Sequence, residues 1–185
     1  LKHGHPMLRL LQGDVGSGKT LVAALVALPI IEAGFQVALM APTELLSEQH
    51  AVQFSKWFRP LGIAVGWLTG SMKAQPRRTM LEQLKNGTCQ MVIGTHALFQ
   101  DEIVFKHLGL AIIDEQHRFG VAQRLLLREK GQSLTPHQLI MTATPIPRTL
   151  AMTHFADLDV STIDELPPGR TPVETRVLSQ ARASQ

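Results

Sequence analysis

The sequence predicts an α/β domain built on a mostly parallel sheet with helices on both faces. Three observations carry that expectation. Short apolar runs alternate with helical patterns along most of the 185 residues, and such alternation joins parallel strands through crossover helices. The runs are continuously apolar, as in strands buried on both sides. Tyrosine is absent, with only two Trp and seven Phe, so the core must come from Leu, Ile, Val, Ala and Met.

Taken in order, the first strand covers 7–11 ("MLRLL"), followed by a glycine-rich loop and a helix over 19–33. The second strand, 37–41 ("VALMA"), meets Pro42, and a helix follows over 45–58. In it Phe54, Trp57, Phe58 and Leu61 fall at i, i+3, i+4 and i+7, a stripe able to cover the sheet. Further strands are expected at 63–68, 90–94, 110–114 and 138–141, with a helix over 73–85 between the first two. From about Asp164 the stretch "DELPPGRTP" is proline-rich and aperiodic. We therefore expect one domain over 1–163, and a linker with the start of a following unit over 164–185.

Composition narrows the function. Eighteen Lys and Arg against fifteen Asp and Glu leave a formal charge of +3, which permits polyanion binding without requiring it. Cys89 is the only cysteine, so disulfides and thiolate metal sites are excluded, and a small buried hydrophobe is its expected role. The eight histidines are scattered, with only His3 and His5 close together. The chain lacks an initiator Met and a signal-peptide pattern, and no apolar run approaches the roughly 18 residues of a membrane span. These features read as a piece of a longer cytoplasmic chain.

The loop "GDVGSGKT" matches G-x-x-x-x-G-K-[ST] at a strand-to-helix junction, where the motif's mechanism needs it. Gly13, Asp14, Val15, Gly16, Ser17, Gly18, Lys19 and Thr20 are the expected nucleotide-binding residues. Backbone N–H groups would converge on the β-phosphate at a helix N-terminus. Lys19 would reach the β- and γ-phosphates and the Thr20 hydroxyl would ligate Mg²⁺. A nucleoside triphosphate is thus implied, although kinases, switches and motors share this loop.

The strand at 110–114 ends in "DEQH". Alternation sends Asp114 and Glu115 to different sides, so Asp114 is assigned to the metal and Glu115 to orienting and deprotonating water. A base poised on water favours hydrolysis over kinase chemistry.

With these residues in place, the chain resembles superfamily 2 helicases. "APTELL" (41–46) is similar to their motif Ia, "LTGS" (68–71) to motif Ib and "GTHAL" (94–98) to the DNA-contacting motif that follows. "DEQH" (114–117) and "TATPIPR" (142–148) are similar to motifs II and III. The match spans nearly the whole chain, and five motifs in order are more specific than any one. Within the superfamily, "LLQGDVGSGKT", "DEQHRFGV", "MTATPIPRTLAM" and "DELPPGRTPV" resemble the RecG-type branched-DNA helicases most closely. The transcription-repair coupling factors share "HRFG" and "TATPIPRTL" but typically carry Glu where this chain has Gln116. The primosomal helicases have a DEEH box and lack "RFGV".

The resemblance implies a RecA-like P-loop domain, the first of two lobes, that binds ATP with Mg²⁺ and moves on duplex or branched DNA. Glu115, Lys19, Gln116 and His117 would be the catalytic residues, with Gln116 and His117 sensing the γ-phosphate. Thr142 or Thr144 would couple them to the DNA surface. Thr43 can cap its helix or face a phosphate. Thr69, Gly70, Thr95 and His96 fall at turns after strands on the same rim, suited to a sugar-phosphate backbone read without base sequence. Arg118, Phe119 and Arg148 are candidate lobe-contact or DNA residues.

The implied partners are DNA, a second helicase lobe and an N-terminal wedge domain of the same parent chain, with no membrane. The arginine fingers would belong to the second lobe. Such a finger is worth about 10³–10⁵ in rate, so this piece alone should bind nucleotide weakly and hydrolyse it slowly. Two alternatives stand beside this reading: the motor lobe of a transcription-repair coupling factor, and a nucleotide-dependent binding switch without motor activity.

Overall fold

The computed structural model describes residues 6–114, 135–144 and 158–165. Within them the elements run β1 (Leu8–Gly13), α1 (Lys19–Glu32), β2 (Gln36–Met40), α2 (Glu44–Phe58), β3 (Val65–Leu68), α3 (Ala74–Asn86) and β4 (Met91–Gly94). They continue with β5 (Leu108–Asp114), β6 (His137–Thr142) and β7 (Asp159–Ile163), and 3-10 turns lie at Arg59–Leu61 and His96–Phe99. The strands form one sheet in the order β3-β4-β2-β5-β6-β1-β7, with every pairing parallel.

The two-residue period of the strands sorts their side chains onto two cores. Val37, Leu39, Met91, Ile93, Leu110 and Ile112 face the side covered by α1 and α2. Ala38, Met40, Val92, Ala111, Ile113 and Ile140 face the other, closed by Leu84 of α3 and by Leu98, Ile103 and Phe105. Chain direction explains this division. From β1 to β2 to β3 the chain moves one way across the sheet, then reverses to reach β4 and β5. Right-handed crossovers must place connections of opposite travel on opposite faces.

At the amino edge of the sheet, Gln36 is buried and its amide is fully used. Its Nε2 donates to the carbonyls of Leu84 (2.9 Å) and Cys89 (2.8 Å), while Oε1 accepts from the amides of Lys106 (2.8 Å) and His107 (3.1 Å). One side chain thereby ties the end of α3, the approach to β4 and the approach to β5, at no cost in unsatisfied groups. Cys89 is buried, as expected of a small hydrophobe, and burial pushes its thiol up to about 11.

Two features depart from the sequence expectation. Phe54 and Phe58 are buried and Trp57 packs beside them, but Leu61 is 60% exposed. The helix ends at Phe58 and Pro60 belongs to a 3-10 turn, so the i+7 position no longer points at the sheet. β7 was not anticipated from its sequence. Its burial is mixed, and among the described residues it pairs only with β1, at the sheet edge, which leaves a weak apolar signal. Among the described residues, no helix is long and apolar enough to cross a membrane.

Two substitutions probe this framework. A Cβ at Gly94 would lie 2.2 Å from the Leu68 carbonyl oxygen on the neighbouring strand, so Gly94→Ala should lower stability by about 1–3 kcal/mol, read from the urea midpoint. His137 accepts the Met7 amide at Nδ1 (2.8 Å), and burial pushes its imidazole below the ordinary value of 6.5. The unfolded chain then binds more protons as pH falls through 6.5, so stability held above that value is lost toward the folded-state titration. The urea midpoint should fall between pH 7.5 and 5.5, and less so in His137→Asn. An equal fall in both proteins would remove His137 as its source.

Candidate functional site

Parallel pairing brings every described strand's carboxyl end to one edge, and those predicted site residues that the structure describes lie along it. β1 runs directly into the glycine-rich loop, its last residue being Gly13. A Cβ at Gly13 would lie 2.5 Å from Ser17 Oγ and 3.1 Å from Ile163 Cβ of β7, so the first glycine is required by close approach. Gly16 and Gly18 have φ of 81° and 96°, a conformation that disfavours side chains. Ser17 donates its amide to the Asp14 carbonyl (3.1 Å), and Val15 donates its amide to the Asp14 carboxylate (2.7 Å).

The helix that follows is built for an anion. Gly18 is the N-cap of α1 and no side chain caps it, so the positive end of the helix faces the loop. The Lys19 ammonium lies over the loop, donating to the carbonyls of Gly13 (2.7 Å) and Asp14 (2.8 Å). Thr20 stands in the first turn of the same helix, half-buried. Ser17 Oγ is buried with no hydrogen-bond partner among the described residues, a polar atom that incurs a cost unless something bonds it. Cationic ammonium, helix terminus and unpartnered hydroxyl together form a donor set that fits phosphate oxygens.

Asp114 ends β5, opposite Met141 of β6, which in turn lies opposite Leu11 of β1. Two strand spacings, about 10 Å, separate its backbone from β1. Its Oδ2 is 2.7 Å from Nε2 of His50 on α2, and the two side chains are only 14% and 12% exposed. Among the described residues there is no group of three or more His, Cys, Asp or Glu that could hold a metal. A divalent cation here would therefore rely on Thr20, Asp114 and the oxygens of a bound phosphate. Thr142 is buried at the end of β6, opposite Gln12, and its Oγ1 accepts the Thr144 amide (3.1 Å). Glu115, Gln116, His117, Arg118, Phe119 and Arg148 lie outside the described residues.

The candidate DNA residues occupy the other half of the edge, after β2, β3 and β4. Thr43 is exposed and caps α2, accepting the Leu46 amide at 3.2 Å. Thr69 and Thr95 are buried: the first bonds Ser71 through its hydroxyl (3.1 Å), the second caps the turn at 96–99. Gly70 and His96 are exposed. This loop system is held from both sides. Ser71 Oγ shares its proton with the Glu44 carboxylate (2.9 and 3.0 Å). Arg77 of α3 donates to the Thr69 carbonyl (3.2 Å) and to Gln100 (2.7 Å), and pairs with Glu102.

His50, Glu44 and Arg77 are the site residues that sequence reasoning missed. A signal for His50 was present. Ser47, Ala51, Phe54 and Phe58 form the buried stripe of α2, and His50 lies within that stripe, three residues from Ser47 and four from Phe54. A polar residue on a sheet-facing stripe needs a partner. Ser47 has one in Trp67, whose Nε1 donates to it at 2.9 Å, and His50 has Asp114.

Comparisons with known proteins show the family and the fold. The DEAD/DEAH box helicase family matches residues 2–153. The ATP-dependent DNA helicase RecG of Pasteurella multocida is 66% identical over 187 residues, covering 100% of this chain and 27% of that protein. That of Escherichia coli strain K12 is 66% identical over 179 residues, 96% of this chain and 26% of its own. The chain thus spans about a quarter of the length of these relatives. A structure of RecG bound to a three-way DNA junction superposes with a TM-score of 0.78 at 48% identity, over 92% of this chain and 22% of that one. The Pyrococcus furiosus Hef helicase domain shares the fold, with a TM-score of 0.61 at 21% identity over 86% of this chain and 36% of that one. On its sequence and its RecA-like fold, the chain belongs to the DEAD/DEAH box helicase family.

Proposed function

We propose that this chain is the ATP-binding first lobe of a RecG-type, DNA-dependent ATPase that translocates on double-stranded DNA and remodels stalled forks and Holliday junctions. One observation carries the proposal: a single sheet edge holds the phosphate loop and Asp114 in one half and the candidate DNA residues in the other. The high identity to ATP-dependent DNA helicase RecG supports it, as does the likeness to a RecG that was bound to a three-way junction.

In this reading the loop amides and the α1 terminus bind the β-phosphate, and Lys19 leaves its carbonyl partners to meet the β- and γ-phosphates. Thr20 and Asp114 would hold Mg²⁺, whose charge offsets that on the phosphate oxygens. Glu115 orients the attacking water and takes its proton. Gln116 and His117 report the γ-phosphate to Thr142 and Thr144. Thr43, Gly70 and His96 present groups to the DNA backbone, while Thr69 and Thr95 shape the turns that present them. A second lobe and an N-terminal wedge domain of the parent chain complete the nucleotide site and the fork contact. Such contacts are to phosphate and sugar, so binding should weaken with salt and be indifferent to base sequence.

Removing the phosphate-directed cation by Lys19→Ala should weaken Mg-ATP binding about tenfold or more, measured by titration with a fluorescent nucleotide. Unchanged affinity would reject the loop assignment. The function itself is tested by ATP hydrolysis in the full-length protein without DNA, with linear duplex and with a four-way junction. Junction DNA should stimulate strongly, and Glu115→Gln should abolish turnover while leaving ATP bound. Equal rates under all three conditions would point instead to a nucleotide-dependent switch.

A further inference from the structure

His50 belongs to no helicase motif identified in the sequence, yet its contact crosses the boundary between the two halves of the edge. The imidazole is 12% exposed and sits on the sheet-facing stripe of α2, where an aliphatic residue would pack without needing a partner. Its ring meets Phe54 edge-on, with centroids 6.4 Å apart and planes at 71°, which fixes its rotation. Nε2 lies 2.7 Å from Asp114 Oδ2. A carboxylate only accepts, so in this pairing the imidazole donates in the tautomer that carries its proton on Nε2.

The helix that carries His50 also reaches the opposite half. Its first residue, Glu44, holds Ser71 in the loop after β3, and its N-cap, Thr43, is exposed on the rim. Almost two turns on, His50 holds Asp114 at the end of β5. A shift of α2 along or about its axis would therefore move the Asp114 donor together with the Ser71 acceptor.

We infer that His50 is a positioning residue for Asp114, a buried imidazole donor that sets the rotation of the carboxylate and ties it to the helix carrying Thr43 and Glu44. This rests on the proposed role of Asp114 as the Mg²⁺-side carboxylate. The imidazole engages Oδ2 and so restricts the rotation of the whole carboxylate. Carboxylates that face a metal depend on such outer hydrogen bonds, whose loss commonly costs 10–100-fold in metal affinity. His50 itself touches neither nucleotide nor cation.

The test uses the full-length protein and binding rather than turnover. A fluorescent, non-hydrolysable ATP analogue is titrated with Mg²⁺, and the concentration giving half-maximal binding is recorded. His50→Leu keeps bulk but removes the donor, and should raise that concentration about tenfold. His50→Gln, whose amide nitrogen can replace Nε2, should recover most of the loss. The H50L/D114N double variant should need no more Mg²⁺ than D114N alone, because both changes act through one carboxylate.

If D114N raises the Mg²⁺ requirement while H50L does not, or if their effects add, the positioning role is wrong and the metal reading stands. If neither variant moves it, the metal role of Asp114 fails and the inference fails with it. A purely structural histidine would lower the urea midpoint without changing the Mg²⁺ requirement. Should H50L not fold, His50→Asn carries the same test, since its shorter amide falls short of Asp114.

Discussion

Parallel pairing across all seven described strands is the constraint on which the candidate site depends. Parallel strands cannot be joined by tight hairpins, so each return crossing carries the chain back through a helix or a long connection. Both faces are consequently covered, and polar groups that bind ligands are left the two edges. At the carboxyl edge the phosphate loop, the end of β5 and the turns after β2, β3 and β4 come together. The amino edge is closed instead by Gln36, whose amide uses every donor and acceptor on backbone groups of three neighbouring segments.

The order of strands then divides the edge that carries the candidate site. β1 lies beside β6, which lies beside β5, so the phosphate loop, Thr142 and Asp114 form one run. β2, β4 and β3 form the adjoining run with Thr43, Thr95 and Thr69. The polar ties between loops in the second run join distant parts of the chain, Ser71 to Glu44 and Arg77 to Gln100 and Glu102. Arg77 and Glu44 hold the turn after β3 from opposite sides, through α3 and α2. Exposed pairs such as Arg9 with Asp159, 37% and 68% exposed, contribute little by comparison, typically under about 1 kcal/mol. Stability comes from the two apolar layers, and the polar contacts decide where the loops stand.

Much of this was legible in the residues. The run 37–41 and the strand at Gln36–Met40 nearly coincide because Val37 to Met40 are apolar and buried at every position. Gly13 was legible as part of a phosphate loop, since the motif fixes its spacing. Its closest neighbours were not: Ser17 approaches through the local fold of the loop, and Ile163 arrives from 150 residues away in the chain. Thr69 and Thr95 were read from their motifs as members of a DNA-facing rim. Burial places their hydroxyls inside the turns instead of on the surface, because each is needed to bond a group two residues on.

Sequence by itself determined the alternation of strands and helices, the loop that suits a phosphate and the helicase motifs, because periodicity, glycine spacing and local turn chemistry are properties of neighbours in the chain. Only the tertiary structure decided that β7 would close the sheet beside β1 and that Leu61 would turn away from the core. It alone brought His50 to Asp114, across 64 positions. That contact depends on the register of β5 within the sheet and on the angle at which α2 crosses it. No local pattern encodes either, since both are set by how whole elements share a buried face.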